Sequence, residues 1–430
     1  MENTTKELFS FIEASPTSFH AVRNAEEVLR EKGFQPLLES EHWDLIPGGN
    51  YYVTRNQSSL IAFRVPETVT GFMVGAAHTD SPCLKLKENM ELRLEGYTKL
   101  DAEKYGGMLL SPWLDRPLSV AGRLLVAAET GTASVLVNLD RDLLVIPSLA
   151  IHMDRSANEA KKWDFQQDLL PLAGQGDVAL LPLLAAEAGV RVEDVLAFDL
   201  FAYNRDKGTQ VGVNGEFLLC PRLDDLQCVY GLLQGFLRAD QPKAMPVLCL
   251  FDSEEVGSQT RQGAQASFLQ DVLRRVCRSR GLSGQDYLRC VAQSLMVSAD
   301  NAHGVHPNHP EKAALTSRPR LGAGVVVKYG ARYATDGAAA ALLRQILRQA
   351  EVPVQAYFNH SNIPGGGTLG NLSLTQVSMH TVDIGLAQLA MHSANEVSGA
   401  ADTDHLIRAM TACFGARLTE TGPETFLVEL

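Results

Sequence analysis

The chain has 430 residues, 45% of them hydrophobic and 20% charged, with a formal net charge of -12. That length exceeds what one compact core usually holds, so two domains are expected. An acidic chain with no basic block is poorly suited to nucleic acid or to an anionic membrane surface, and neither is expected as a partner.

Residues 4–33 carry a helical pattern, with Leu8, Phe9, Phe11 and Ile12 on one face. Ser15-Pro16-Thr17 interrupts it, and 21–32 reads as a second helix. The polar start lacks the basic residues and long apolar region of a secretory signal. Residues 71–77 read as a buried strand running into His78. From about residue 90 the texture changes. Short alternating runs at 90–94, 119–127 and 134–139 are separated by turn residues, which predicts a β-rich insert that closes near Phe217.

After Asp224 helices and strands alternate. Helices are expected at 226–237, 267–278, 338–350 and 405–416, and strands at 244–251, 294–299, 352–358 and 375–378. This alternation implies an α/β fold with a mixed, largely parallel sheet flanked by helices. The expected division is a discontinuous α/β domain, 1–89 and 217–430, and a β-rich domain at 90–216. No run approaches the roughly eighteen apolar residues of a membrane-spanning helix. The seven cysteines are scattered with no CxxC pair, which argues for reduced thiols. A soluble, cytoplasmic protein is expected.

Several apolar runs end in acidic or imidazole side chains, and such groups need a partner or a metal when buried. His78-Thr79-Asp80 follows the strand at 71–77. His78 offers a neutral nitrogen ligand, and Asp80 could hold its ring in one tautomer. A polar loop with a His–Asp hydrogen bond is the alternative. Leu223-Asp224-Asp225 places two carboxylates at the start of a helix. One carboxylate can bridge two cations about 3.5–4 Å apart, whereas an N-cap Asp with a first-turn Asp is the plainer reading.

Phe251-Asp252-Ser253-Glu254-Glu255-Val256-Gly257-Ser258 is the most specific segment. Adjacent Glu side chains after a strand diverge, so one can bind metal while the other serves as base for an attacking water. Ser298-Ala299-Asp300 ends another strand and supplies a ligand, with His303 as a site residue. Pro307 and Pro310 prevent a helix that would align His306 and His309 with it. His392, in Met391-His392-Ser393, completes the set as a second imidazole. Gly365-Gly366-Gly367 lacks the Lys-Ser/Thr of a phosphate loop and reads as pocket lining, where Gly366 lets backbone approach a substrate. Lys328 ends the apolar run 323–327 and could pair with a substrate carboxylate; a solvated surface Lys is the alternative.

Taken in order, HTDSP (78–82), RLDD (222–225), FDSEEVGS (251–258), SADNAHGVHPN (298–308) and AMHS (390–393) resemble the aspartyl aminopeptidase and vacuolar aminopeptidase I family of dizinc exopeptidases. The likeness runs nearly the whole length and includes 14–17, 146–152 and 328–333. It implies that His78, Asp224, Glu255, Asp300 and His392 are metal ligands, with Asp224 bridging. Glu254 matches the general base, and Asp80 the residue behind His78. His152 falls in the β-rich insert, which in this family mediates dimerisation and donates that His to a neighbouring active site. The family assembles tetrahedral dodecamers with an enclosed chamber. It includes acidic-preferring and neutral-preferring members, and Gly365–Thr368 departs from its usual pattern.

The function expected is therefore removal of N-terminal residues from peptides, with Asp and Glu preferred. Two divalent ions are expected, zinc first, with cobalt and manganese also compatible with mixed nitrogen and oxygen ligands. A neutral-preferring aminopeptidase, a dizinc hydrolase of another amide or ester, and a catalytically silent assembly protein of the same fold are the alternatives.

Overall fold

The computed structural model describes residues 2–430. Its centre is a nine-stranded mixed sheet. In spatial order the strands are Gln35–Leu37, Asn50–Arg55, Ser59–Arg64, Met245–Phe251, Phe72–His78, Leu295–Ala299, His380–Gly385, Val325–Lys328 and Val354–Tyr357. Phe72–His78, Met245–Phe251 and Leu295–Ala299 are buried at every residue. That is what a strand needs when helices cover both faces of its sheet.

The three pair in parallel, with Phe251 level with His78. Their apolar runs therefore end at one edge, and the polar residues that follow emerge together. Alternate residues feed two cores. Met73 and Ala77 pack into one, and Phe72, Val74 and Ala76 into the other. The first core lies under helices Glu2–Glu13, Ser18–Glu31, Leu223–Arg238, Gly337–Gln349 and Asp402–Gly415. The second lies under Phe268–Ser279 and Gly284–Ala292.

Helix Leu223–Arg238 is buried almost all round. It crosses Asp402–Gly415 so closely that a Cβ on Gly235 would stand 2.6 Å from Met410 Cβ. Some helix starts are capped by a side chain. Asp336 accepts from the Ala339 amide at 2.8 Å, and Ser283 with Asp286 forms a capping box.

A second, six-stranded antiparallel sheet is built only from residues between Cys83 and Asn204. Its order is Gly131–Asn138, Leu118–Ala128, Val195–Asn204, Cys83–Leu94, Tyr97–Tyr105 and Leu172–Gln175. It encloses its own core, including Leu84, Leu100, Val120, Leu124 and Leu200. A five-stranded sheet joins Thr209–Val211 and Phe217–Cys220 to Glu396–Gly399, Ala387–Leu389 and Ala302–His303.

One expected strand is misplaced. Residues 375–378 form a turn after helix Leu369–Ser373, and the strand begins at His380. The alternation that reaches the sheet is Val382 and Ile384 in one core, whereas Val377 is buried from a loop. Two strand pairs were also absent from the sequence reading, Asn50–Arg55 with Ser59–Arg64 and Arg417–Gly422 with Thr425–Glu429. All seven cysteines are unpaired. Among the described residues no helix is long and apolar enough to cross a membrane.

Candidate metal centre

The parallel edge delivers its side chains to one place. His78 closes its strand, and its own amide donates to Asp225 Oδ2 at 3.1 Å. The turn behind it is pinned where the Thr79 amide donates to Phe251 O at 2.8 Å. His78 Nδ1 lies 3.0 Å from the backbone oxygen of Asp80 and 3.4 Å from its carboxylate. A carbonyl can only accept, so the proton sits on Nδ1 and Nε2 is free to bind a cation. The Asp80 carboxylate instead accepts the amides of Glu254 and Glu255, both at 3.1 Å. It thereby fixes the one-turn segment that carries both Glu side chains.

Asp224 is the middle of the cluster. Its Oδ1 lies 3.4 Å from His78 Nε2, and its Oδ2 lies 3.5 Å from His392 Nε2. Asp300 Oδ1 stands 3.9 Å from His78 Nε2, and Glu255 Oε2 stands 3.5 Å from His392 Nε2. Two overlapping groups result, one with His78, Asp224, Asp225 and Asp300, the other with Asp224, Glu255 and His392. Glu254 shares a third group with His78 and Glu255.

The backbone holding Asp224 is irregular: Arg222 is left-handed, and the Asp224–Asp225 peptide is cis. Asn301 donates to Leu223 O at 3.0 Å, and Ser81 Oγ donates to Asp224 O at 2.7 Å. His392 is also left-handed, at φ 64°.

These side chains fit a divalent cation. Asp224 Oδ1, Asp225 Oδ1 and Glu255 Oε1 are buried and lack a hydrogen-bond partner, an arrangement that otherwise costs desolvation energy without return. Imidazole nitrogen and carboxylate oxygen are the donors zinc accepts in sites that also bind water. The protonation pattern agrees. Burial raises the Glu255 carboxyl well above its ordinary value, and Asp224 beside it adds to the rise. Burial also raises Glu254, to about 7, against the lowering influence of His78. Burial opposes a charge on His392, but Asp224 and Glu255 override it and lift the imidazole to about 10. So many carboxylates in one dry place have no cation among their neighbours strong enough to hold them all ionised.

Lys328 and His303 flank the cluster. Lys328 is buried, with Nζ 3.2 Å from Asp300 Oδ2 and 5.6 Å from the centroid of the Tyr333 ring. The His303 ring meets Tyr357 edge-on at 6.1 Å. Its pKa is lowered, by desolvation first and by the Lys328 ammonium second. His303 and Gly366 both line a cavity of about 460 Å³. A Cβ on Gly366 would meet nothing within 4 Å, so the tight approach belongs to Gly365, whose Cβ would strike Asn359.

His152 is not brought to this cluster within the chain. It is exposed in a loop with exposed Leu149, Ile151 and Met153. Two carboxylates have roles that the sequence alone did not assign. Asp225 holds the His78 amide, and Glu396 accepts the amides of Asp224 and His392 at 2.9 and 2.7 Å. The position of Glu396, four residues after His392, was the one available signal.

A family model for the aminopeptidase I zinc metalloproteases (M18) matches residues 11–414. A probable M18 family aminopeptidase 2 from Clostridium acetobutylicum is 41% identical over 411 residues, covering 92% of this chain and 95% of that protein. The structure of the Ape4 and Nbr1 complex matches with a TM-score of 0.93 at 34% identity, over 96% of this chain and 86% of the other. The S. cerevisiae mApe1 dodecamer matches with a TM-score of 0.84 at 28% identity, over 95% and 96% of the two chains. The chain therefore belongs to the M18 family of aminopeptidase I zinc metalloproteases and is an enzyme of the aminopeptidase class.

Proposed function

We propose that this aminopeptidase works with two metal ions shared by Asp224 and prefers peptides that begin with Asp or Glu. The observation that carries the two-ion reading is that the two Asp224 oxygens face opposite imidazoles, at 3.4 and 3.5 Å. His78, Asp224 and Asp300 would hold one cation, and His392, Asp224 and Glu255 the other. Bound there, divalent cations, zinc foremost, would supply Lewis acidity at the scissile carbonyl and lower the pKa of a water.

The chain's own groups do the rest. Glu254 takes the proton of the attacking water and returns it to the leaving amine. A carboxyl already raised toward neutrality by burial is suited to both steps. Asp80 keeps Glu254 in place through its amide. His303, on the cavity wall, would contact the substrate, and the developing oxyanion would take a donor from His152 of another subunit. His152, exposed beside apolar side chains, would reach the site of a second copy.

The six-stranded sheet, built between Cys83 and Asn204, would form the dimer contacts of a larger, dodecameric assembly, as the S. cerevisiae mApe1 structure is a dodecamer. Seven unpaired cysteines support a cytoplasmic setting.

Acidic preference rests on Lys328, an ammonium with three donors of which one is directed at Asp300. That same ion pair favours a second reading, in which Lys328 only neutralises Asp300 and neutral first residues are preferred. Prolonged chelation followed by stepwise return of zinc, read on a panel of aminoacyl substrates, tests the proposal. Activity should vanish and return, highest on Asp and Glu. Full activity in protein shown by elemental analysis to be metal-free overturns the two-ion mechanism. Faster cleavage of Leu substrates overturns the acidic preference alone.

A further inference from the structure

The second sheet touches the metal centre within the same chain. Strands Cys83–Leu94 and Tyr97–Tyr105 form a long hairpin in which Cys83 lies opposite Tyr105. The hairpin leaves the site three residues after Asp80 and returns there at Tyr105, so both of its ends are rooted at the cluster. The returning segment, residues 105–109, makes four contacts there, each with a different task.

Tyr105 OH donates to Asp80 Oδ2 at 2.9 Å, the carboxylate that also accepts the Glu254 and Glu255 amides. Gly106, at φ 80°, lies against Glu255, so close that a Cβ would stand 3.1 Å from Glu255 Cβ and 3.2 Å from its Oε2. The Gly107 carbonyl accepts from His392 Nδ1 at 2.9 Å, and the Leu109 amide donates to His392 O at 2.9 Å.

The chemistry of each contact points the same way. Because a carbonyl only accepts, Gly107 O places the His392 proton on Nδ1 and presents the Nε2 lone pair to the cluster. Tyr105 gives the Asp80 carboxylate a third donor and locks the orientation in which it holds the Glu254–Glu255 turn. Gly106 is needed twice, for its left-handed backbone and for the space its missing side chain leaves to Glu255. The Tyr105 ring is braced in turn by Phe201 of the same sheet, edge-on at 5.7 Å.

We propose that Tyr105, Gly106 and Gly107 form a clasp by which the β-rich sheet sets the metal affinity of the His392–Glu255 half of the centre. Tyr105 is a positioning residue: it acts through Asp80 and touches no reacting atom. The inference rests on the two-ion reading above.

The test is zinc affinity, measured by competition with a chromophoric chelator on Tyr105→Phe, Gly106→Ala and the control Tyr97→Phe, an exposed tyrosine on the same hairpin. Loss of a group that orients a metal ligand typically weakens binding about 10- to 100-fold. Tyr105→Phe should fall in that range for one of the two zinc ions and shift the visible spectrum of the cobalt-substituted protein. The affinity loss should persist at temperatures where the metal-free variant remains fully folded, which a merely structural role would not allow. Gly106→Ala should lose more, and Tyr97→Phe nothing. If Gly106→Ala does not fold, Tyr105→Phe decides alone. Wild-type zinc affinity in Tyr105→Phe overturns the clasp and leaves the two-ion reading intact. A wild-type protein that binds no divalent cation overturns both.

Discussion

The nine-stranded sheet and the six-stranded sheet meet at the same site but contribute by different physics. In the first, parallel strands such as Phe72–His78 and Met245–Phe251 are buried on both faces. Their positions are fixed by two cores at once, so the charges at their ends are held against repulsion that would splay a looser scaffold. In the second, antiparallel strands share one core, and apolar side chains remain outside, among them Leu94, Tyr97, Leu149, Ile151 and Met153. Single exposed apolar residues are ordinary, but Leu149, Ile151 and Met153 are exposed together on one loop. The comparison teaches that a sheet buried on both faces can gather imidazoles and carboxylates at one edge, while a sheet with one core leaves apolar side chains exposed.

The largest expected effect breaks the chemistry of the rigid sheet. Glu254→Gln should cut turnover by roughly a hundredfold or more, the usual order for loss of a general base, with zinc content unchanged. Loss of zinc with residual turnover intact would show that Glu254 is a ligand and Glu255 the base. Next is Lys328→Met. A charge-assisted contact of about 1.5–3 kcal/mol corresponds to roughly ten- to a hundredfold in kcat/KM. The variant should lose that margin for Asp and Glu over Leu; an unchanged ratio assigns Lys328 to Asp300 alone.

The exposed sheet is tested by His152→Ala. Alone it should be impaired by about tenfold or more, as for a lost oxyanion donor. Co-assembly with Glu254→Gln subunits should recover part of the activity, and mixtures that never exceed their parents would refute a shared site.

The smallest effect is on stability and concerns only the metal-free protein. Burial raises Glu254 and Asp252 to about 7 and Glu396 to about 8. In the unfolded chain these carboxyls lose their protons near 4. Between about pH 5 and 8 the unfolded state therefore binds fewer protons than the folded state, and stability falls as pH rises. His392, lifted to about 10 against its burial, works in the same direction, since its contribution is complete below about 6.5 and is lost on the way to 10. Chelated protein should lose roughly 5 °C or more in Tm across that window. The zinc-loaded protein should not. A chelated protein whose Tm rises from pH 5 to 8 would contradict the burial argument.

The site was legible where an apolar run ended in a charged or imidazole side chain. His78, the 252–255 cluster and Asp300 announce themselves this way, because a strand buried on both faces has no other reason to stop at such groups. The roles of Asp225 and Glu396 were not legible. Each works by holding backbone amides rather than by standing at the end of a pattern, and a carboxylate in a helix start or short strand looks ordinary. Residues 375–378 misled because Val377 is apolar and β-branched yet is buried from a loop.

By itself the sequence determined the class of side chain at each strand end, the alternation of helix and strand after Asp224, and the change to short β-runs near residue 90. These are local, since the period of apolar residues and the chemistry of a terminus are written within a few neighbours. Only the tertiary structure decided which ends meet. The parallel register that sets Phe251 beside His78, the left-handed turn that aims His392 at Asp224, and the return of the hairpin at Tyr105 all join residues far apart in the chain. Such pairings depend on loop closure and on how two cores pack against one sheet. Neither leaves a trace in the spacing of residues along the chain.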